Sequence, residues 1–118
     1  MRTITFEVET KEAYVDYDDP LTTNYSLYIM DGDKKVGRVF LHKYAWRTYW
    51  IAYDIDIEYW NQGIMTEAVK KVLSLLPTGT LVITWVTVGN VASERVLEKN
   101  GFTKKRSPYV NNYWEIIT

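Results

Sequence analysis

The sequence predicts an α+β (mixed α/β) fold with a single mixed sheet of about seven strands and two main helices. Polar and apolar residues alternate in the first half of the chain, which is typical of half-buried strands. From Ile64 the apolar spacing changes to that of a helix, and an apolar strand follows it. A helix between two strands is long enough for a crossover, so the fourth and fifth strands should run parallel. With 118 residues, the chain should form one domain, residues 1–118.

Several strands are predicted before the first helix. The turn Asp31-Gly32-Asp33-Lys34 predicts a hairpin, because glycine tolerates a positive φ angle. The segment after the first strand loses the period of two and carries several aspartates, so it should be an acidic loop. The predicted order is strand Arg2–Glu9, loop 10–24, strands Tyr25–Met30 and Lys35–His42, and strand Tyr49–Glu58.

Helices and strands alternate in the second half. Apolar residues at helical spacing predict a main helix, and the apolar, β-branched stretch after it favours a buried strand. An asparagine followed by an Asn-Gly pair ten residues later is typical of the two ends of a short helix. The predicted order is helix from Ile64 to before Pro77, strand 80–88, a helix from Asn90 to Asn100-Gly101, and a final hairpin over Phe102–Thr118.

The composition excludes several classes of protein. Cysteine is absent, which excludes a disulfide framework, a thiolate nucleophile and cysteine-ligated zinc. A single histidine also excludes the two-histidine zinc motifs, so no metal is expected. The first residues contain no apolar signal core, and no run approaches the ~18–20 apolar residues of a membrane-spanning helix. A cytoplasmic protein that does not enter a membrane is therefore expected.

Charged and aromatic residues are distributed unevenly. Residues 1–33 carry eight acidic and two basic residues, whereas residues 34–118 carry seven acidic and twelve basic ones, for a net charge of −1. One half could meet a cationic ligand and the other an anionic one, or the charges could simply be solvated. Five Trp and ten Tyr indicate rings that line a groove or an interface as well as the core, and a homodimer would provide such an interface.

A glycine turn leads from the fourth strand into the main helix. Its sequence is Trp60-Asn61-Gln62-Gly63-Ile64-Met65-Thr66-Glu67-Ala68. The first N–H groups of a helix have no partner within the helix and lie at the positive end of its dipole, which favours phosphate or diphosphate. The alternative to a phosphate site is that this turn is an ordinary helix cap. The turn has neither the P-loop pattern nor Gly-x-Gly-x-x-Gly, so nucleoside triphosphates and dinucleotides are disfavoured.

A second motif surrounds the short helix. Asn90, Ser93 and Arg95 precede the run Glu98-Lys99-Asn100-Gly101-Phe102. This pattern resembles the second cofactor-contacting helix of the GCN5-related N-acetyltransferase (GNAT) superfamily, in particular its ribosomal-protein alanine acetyltransferase (RimJ/RimL-type) branch. The glycine turn is similar to the acetyl-CoA diphosphate loop of that branch. The two motifs stand in the family's order, and the resemblance covers residues 49–103.

The resemblance implies a detail of the fold and a co-substrate. In the family, two central parallel strands splay apart behind a bulge, and the pantetheine arm of acetyl-CoA lies in the cleft along the fourth strand. Within the turn, Trp60 and Met65 depart from the residues that are usual in the superfamily. The cofactor-binding residues that the resemblance implies are Tyr53, Asp54, Ile55, Asn61, Gln62, Gly63, Ile64, Met65, Thr66, Asn90, Ser93 and Lys99.

Two of these residues have a structural alternative. Asn90 would help to hold the pantetheine, and its position also suits the N-cap of the short helix. Ser93 lies one turn further along, where its hydroxyl could protonate the leaving thiolate or could simply serve the first turn of the helix. Many family members place a tyrosine at the position that is Leu97 here. Ser93 is therefore the preferred catalytic acid.

Asp54 is the preferred general base. On the predicted strand it shares one face with Asp56 and Glu58, and it lies nearest the centre of the cleft. A solvated strand face is the alternative for all three carboxylates. Backbone N–H groups near Asp54 or Ile55 would polarise the thioester carbonyl. His42 is more typical of a surface residue than of a base.

The acceptor side is expected to be short and open. Family members usually place two helices between the first and second strands, whereas loop 10–24 leaves little room for them. The tyrosines and aspartates of residues 12–24 could form an acidic lip for a cationic amine, a peptide N-terminus or a partner subunit.

The leading interpretation is an acetyl-CoA-dependent N-acetyltransferase. Because no cysteine can carry an acetyl group, transfer would run directly to a primary amine, either a protein N-terminus or a small amine, in a ternary complex. The alternative is a catalytically degenerate module of the same fold that binds coenzyme A or a protein. Nucleic-acid binding through Lys104, Lys105 and Arg106 is disfavoured, because neither a motif nor a basic net charge accompanies them.

Overall fold

A seven-stranded mixed sheet and two α-helices make up the fold, which confirms the predicted α+β class. The computed structural model describes residues 2–15, 18–105 and 111–118. The elements in chain order are β1 (Ile4–Glu12), β2 (Thr23–Asp31), β3 (Lys34–Ala45), β4 (Thr48–Ile55), a 3₁₀ turn (Ile57–Tyr59), α1 (Ile64–Leu73), β5 (Leu81–Thr87), α2 (Val91–Lys99), β6 (Thr103–Lys105) and β7 (Asn111–Ile117).

The strands lie in the order β1-β2-β3-β4-β5-β7-β6. The first four form an antiparallel meander, as the hairpin signal and the alternating pattern predict. After α1 the chain returns in β5, which runs parallel to β4. The final strand β7 lies between β5 and β6 and is antiparallel to both.

The core lies between one face of the sheet and the helices. The apolar stripe of α1 buries Met65, Ala68, Val69 and Val72. Alternate residues of the strands meet this stripe, including the fully buried Leu27 and Ile51. Burial of one such aliphatic side chain contributes ~1.5–3 kcal/mol to the free energy of folding, so α1 is fixed firmly on the sheet.

The opposite face of the sheet, called the open face below, is not covered by a helix in the described part of the chain. Its side chains alternate with the core residues along each strand. Aromatic residues dominate it near the centre of the sheet. The open face includes Arg38, Phe40, His42, Tyr44, Trp50, Ala52, Asp54, Trp85 and Tyr113.

The parallel strands β4 and β5 separate after a short contact. Their register pairs are Thr48–Leu81, Tyr49–Val82 and Trp50–Ile83. From there β4 continues to Ile55 and β5 to Thr87, so a cleft opens between them. This divergence is the splay that the family resemblance implies, and it leaves an edge of β4 without a partner strand in the described chain.

The predicted end of β4 is wrong. The strand ends at Ile55, so Asp56 and Glu58 do not share a strand face with Asp54. The Asp56 N–H donates to the Val36 carbonyl at 2.9 Å, and the Tyr59 N–H then donates to the Asp56 carbonyl at 2.9 Å. Burial of the Tyr59 ring favours this turn over a longer strand.

Other predicted ends differ by a few residues. β1 continues to Glu12, where it still pairs with Thr23, because backbone pairing extends beyond the alternating pattern. The helix α1 ends at Leu73, although the apolar spacing continues to Leu76. The Leu76 N–H bonds to the Leu73 carbonyl at 3.1 Å, a tighter turn that keeps Leu76 buried.

Candidate active site

A cavity of about 540 Å³ lies between the unpaired edge of β4 and the first turns of α1 and α2. This volume is in the range of ~300–1,000 Å³ that is typical of small-molecule sites. The cavity brings together every residue for which the sequence predicts contact with the cofactor, although their binding role remains a prediction. These residues are Tyr53, Asp54, Ile55, Asn61, Gln62, Gly63, Ile64, Met65, Thr66, Asn90, Ser93 and Lys99.

The glycine turn directs backbone N–H groups toward this cavity. Gly63 is the N-cap of α1 with a φ of 76°, and Asn61 just before it has a φ of 58°. Within the described residues, no side chain caps the helix. The N–H groups of the first turn therefore remain available to an anionic ligand.

Two side chains hold the turn in place. The Trp60 indole N–H donates to the Ile55 carbonyl at 2.9 Å, which ties the turn to the end of β4. The Gln62 amide donates to the Glu58 carbonyl at 2.9 Å, and its oxygen accepts from the Arg2 guanidinium. These hydrogen bonds fix the turn to the end of β4 and to the residues before it. The sequence did not predict the contact made by Trp60.

Tyr59 anchors the same region to the meander. Its hydroxyl donates to Asp31 Oδ2 at 2.6 Å, and the Arg2 guanidinium lies 4.2 Å from its ring centroid. The hydrogen bond to the Asp31 carboxylate raises the pKa of Tyr59 to about 12. The same hydrogen bond lowers the pKa of Asp31. The pair therefore remains phenol and carboxylate at neutral pH.

Asn90 caps α2 as the sequence predicts. Its Oδ1 accepts a hydrogen bond from the Ser93 N–H at 3.3 Å. The Asn90 carbonyl accepts the first helical bond from the Glu94 N–H at 3.1 Å. Since Asn90 also lines the cavity, its structural role is compatible with contact to a ligand.

Tyr53 and Ser93 form a hydroxyl pair across the cavity. The Tyr53 hydroxyl lies 2.7 Å from Ser93 Oγ and 3.1 Å from the Ser93 carbonyl. Burial raises the pKa of Tyr53 to about 12, and the hydrogen bond with Ser93 opposes this rise. A phenol is thus present beside the serine at neutral pH. The sequence did not predict this pair, because its members lie on different elements. Two signals pointed to it: Tyr53 alternates with Asp54 and so faces the helices, and α2 has Leu97 in place of a tyrosine.

Asp54 leaves β4 on the other face. Arg38 on β3 is its register partner, and the Arg38 Nε lies 3.3 Å from Asp54 Oδ2. Both side chains are at least half exposed, so the ion pair is screened by solvent and stabilises the fold by little. The carboxylate is accessible from the open face, and its role as a base remains a prediction.

A second cavity, of about 240 Å³, lies at the divergence of β4 and β5. Trp50 and Trp85 are among its lining residues. Tyr53, Asn90 and Ser93 line both this cavity and the larger one. The Tyr53–Ser93 hydroxyl pair therefore lies where the two cavities meet, between the diverging strands β4 and β5.

The prediction that Asp19 belongs to an exposed acidic lip is wrong. This residue is buried, and its carboxylate accepts hydrogen bonds from Lys43 Nζ and from the N–H groups of Leu21 at 2.9 Å and Arg47 at 3.2 Å. Burial acts to raise the pKa of Asp19, but these hydrogen bonds lower it below its ordinary value. Asp16, also part of that expectation, lies outside the described residues.

The remaining candidates lie in ordinary surroundings. His42 is an open-face residue whose ring lies 6.1 Å from that of Trp50. Lys104 pairs with Glu94, and Lys105 pairs with Glu115; Arg106 lies outside the described residues. In the described chain, clusters of three potential metal ligands are absent, and neither helix has the length and hydropathy needed to cross a membrane.

Residues 2–103 match the model of the acetyltransferase (GNAT) domain family. The chain therefore belongs to the GNAT acetyltransferase family, which confirms the resemblance carried by its two motifs. Its sequence matches no curated protein.

Solved structures of several acetyltransferases share the fold. RimL, the ribosomal L7/L12 alpha-N-protein acetyltransferase in complex with coenzyme A, has a TM-score of 0.68 at 18% identity, covering 80% of this chain and 62% of that chain. The ribosomal-protein-S5-alanine acetyltransferase from Vibrio fischeri has a TM-score of 0.67 at 21% identity, covering 80% and 61%. The microcin C7 self-immunity acetyltransferase MccE, in complex with acetyl-CoA and AMP, has a TM-score of 0.67 at 19% identity, covering 80% and 61%.

These matches confirm that the fold resembles that of RimL-type acetyltransferases. This chain spans 61–62% of the length of the three proteins.

Proposed function

We propose that this protein is an acetyl-CoA-dependent N-acetyltransferase that transfers the acetyl group directly to a primary amine. One observation carries the proposal. Two cavities, one beside a cradle of helix N–H groups and one on the open face, meet at Tyr53, Asn90 and Ser93. Two substrates that enter from different sides could therefore meet in a ternary complex, which direct transfer requires.

The larger cavity suits the parts of acetyl-CoA. The first turn of α1 offers backbone N–H groups to a diphosphate, and the open backbone at Gly63 lets it approach closely. The unpaired edge of β4 near Tyr53 offers N–H and C=O groups to the amides of the pantetheine arm. Lys99 at the end of α2 supplies a positive charge for the nucleotide phosphate.

The chemistry requires a new C–N bond and the loss of the C–S bond. The amine nitrogen attacks the thioester carbonyl carbon, the thiolate leaves and takes up a proton, and the nitrogen loses a proton. Ser93 would donate the proton to the thiolate, with Tyr53 hydrogen-bonded behind it. Asp54, or water held by it, would accept the proton from nitrogen, and strand N–H groups near Ile55 would polarise the carbonyl.

A degenerate coenzyme-A-binding or protein-interaction module is the second candidate. Leu97 in place of the family's tyrosine supports it, as does the Arg38–Asp54 ion pair, because the guanidinium occupies a carboxylate oxygen that the reaction would use. Under this alternative the large cavity would still bind the coenzyme, but turnover would be absent.

Calorimetric titration with acetyl-CoA, followed by detection of thiol release with a panel of amines, tests the proposal. We expect binding with one-to-one stoichiometry and release of coenzyme A only when an amine is present. Binding without release would favour the degenerate module. Absence of acetyl-CoA binding would overturn the acetyltransferase and the coenzyme-A-binding module, and would leave only the protein-interaction module.

A further inference from the structure

The open face carries an aromatic surface directly over the splay. Trp50 is 39% exposed and Trp85 is 43% exposed, although both lie near the centre of the sheet. The Trp85 ring centroid lies 5.8 Å from that of Tyr44 and 5.7 Å from that of Tyr113. Rings that brace one another in this way form a preformed surface, because little side-chain freedom remains to be lost on binding.

The smaller cavity is the opening in this surface. Trp50 on β4 and Trp85 on β5 line it. Ala52, two residues after Trp50 on β4, also lines it and is small enough to leave room for a ligand. Its inner end reaches Tyr53 and Ser93. At about 240 Å³ it is smaller than a typical drug-sized site, so it suits a single ring with a short arm.

The charges of this region also restrict the ligand. In the described part of the chain, all residues that line the cavity are uncharged. Two carboxylates of the open face lie outside this lining and are paired, Asp54 with Arg38 and Glu115 with Lys105. A ligand with several charges of either sign would therefore find no charged partner among the described lining residues of the cavity.

We propose that the acceptor is a primary amine carried on a short arm by a flat aromatic body, which packs against Trp50 and Trp85. Its amino group would then extend past Ala52 to the junction beside Ser93. This substrate class rests on the proposed function, since the junction is where the acetyl group would be presented. The aromatic body accounts for exposed indoles that the core does not need. The uncharged lining accounts for a single amino group as the only charged part of the ligand.

The first test compares amines that differ only in the body. Thiol release is measured with 2-phenylethylamine, with hexylamine as an aliphatic amine of similar reach, and with spermidine as a polycation. We expect kcat/KM for 2-phenylethylamine to exceed that for spermidine by about a hundredfold and that for hexylamine by about tenfold. Equal or greater activity with spermidine would overturn the proposal.

The second test uses matched tryptophan variants. Trp85→Ala and Trp50→Ala should each raise KM for 2-phenylethylamine about tenfold and leave the acetyl-CoA Kd unchanged, and Trp85→Phe should recover most of the loss. Trp46→Ala is the control. Trp46 is also an exposed tryptophan, at 58%, but it is not among the described residues that line the cavity. An equal effect of Trp46→Ala, or none of Trp85→Ala, would contradict the assignment.

A binding measurement separates the two proposals. Saturation-transfer NMR with 2-phenylethylamine, in the presence of coenzyme A, reports contact whether or not turnover occurs. A signal lost in Trp85→Ala supports the aromatic site even if no acetyl transfer is detected, in which case only the proposed function fails. If acetyl-CoA binds but 2-phenylethylamine gives no signal, the aromatic site is wrong. Dimerisation that is abolished by Trp85→Ala, without amine binding, would also overturn it, because the surface would then hold a second copy.

Discussion

The hydroxyls of Tyr53 and Ser93 meet at the point where both cavities converge. The family often has a phenol on α2, where this chain has Leu97, and Tyr53 brings a phenol to the site from β4 instead. Because burial raises the pKa of Tyr53 to about 12, the phenol stays protonated and remains a hydrogen-bond partner for Ser93 throughout the neutral range. The serine hydroxyl is therefore held in one place rather than free to rotate.

Ser93→Ala should reduce kcat by roughly a hundredfold with little change in the acetyl-CoA Kd, since a positioned acid contributes ~10²–10⁴-fold to such reactions. Tyr53→Phe should reduce kcat by a smaller factor, because it leaves the serine in place without its partner. Steady-state thiol release and calorimetry measure the two quantities. A kcat in Ser93→Ala equal to that of the wild type would show that the leaving thiolate needs no serine.

Gly63 is needed for its backbone conformation rather than for lack of space. Its φ is +76°, and an added Cβ would have no described atom within 4 Å. Gly63→Val should therefore distort the turn that directs N–H groups into the cavity and weaken acetyl-CoA binding by about tenfold, because β-branched residues resist positive φ.

Gly32→Val provides the matched control for this variant. Gly32 also has a positive φ, +59°, with open space around it, but it lies in the β2–β3 turn. Both variants should lower the free energy of unfolding by ~1–2 kcal/mol. An equal loss of acetyl-CoA affinity in Gly32→Val would mean that general destabilisation, not the turn, causes the effect.

At the scale of elements, the start of α2 serves the helix and the cavity together. Asn90→Ala removes the cap on the Ser93 N–H and should lower the free energy of unfolding by ~1 kcal/mol, measured by urea unfolding. Asn90→Asp keeps a cap but places a negative charge in the cavity. Asn90→Asp should therefore be as stable as the wild type but bind acetyl-CoA weakly, as Asn90→Ala should. If Asn90→Asp recovers both stability and acetyl-CoA affinity, Asn90 acts only as a cap.

The buried Asp19–Lys43 pair joins the β1–β2 connection to β3. Both side chains are almost fully buried, at 2% and 5% exposure. Lys43→Met should cost ~3–5 kcal/mol in free energy of unfolding, because it leaves a buried carboxylate without its cation, while the double variant Asp19→Leu/Lys43→Met should recover part of this loss. Denaturant unfolding of the three proteins checks this, and additive losses would contradict a coupled pair.

The same pair makes the stability of the fold depend on pH in the acidic range. Since the folded state lowers the pKa of Asp19, its stabilising contribution is complete above the unfolded value of 3.8 and is lost as the pH falls through the lower folded value. Asp19→Asn should therefore flatten the fall in stability below about pH 4. A wild-type acid profile that Asp19→Asn leaves unchanged would show that other carboxylates control this transition.

At the scale of the whole molecule, the periodicity of apolar residues was enough to predict the sheet, the helices and the parallel pair. It could not predict where β4 ends, because the burial of Tyr59 and its bond to Asp31 depend on a strand far away in sequence. The buried state of Asp19 has the same origin, since Lys43 belongs to another strand. Local patterns do not contain such distant partners.

The candidate site divides in the same way. Most residues of the larger cavity stand in the two motifs, so a linear pattern could predict them, and the family resemblance adds Tyr53, Asp54 and Ile55 of β4. The second cavity requires Trp50, Ala52 and Trp85 to surround one space between diverging strands, and only the three-dimensional structure shows that arrangement. The Tyr53–Ser93 hydroxyl pair likewise joins residues from β4 and α2.

The short register between β4 and β5 has a consequence for the way the molecule opens. The strands β1–β4 and the strands β5, β7 and β6 are joined across the sheet through the pairs from Thr48–Leu81 to Trp50–Ile83. Each group has a more extensive ladder of its own. The two groups should therefore exchange amide hydrogens as separate cooperative units, and a pantetheine chain lying along β4 would act as a missing strand between them. Native-state hydrogen exchange should show slower exchange around Tyr53 and closer coupling of the two groups when acetyl-CoA is present.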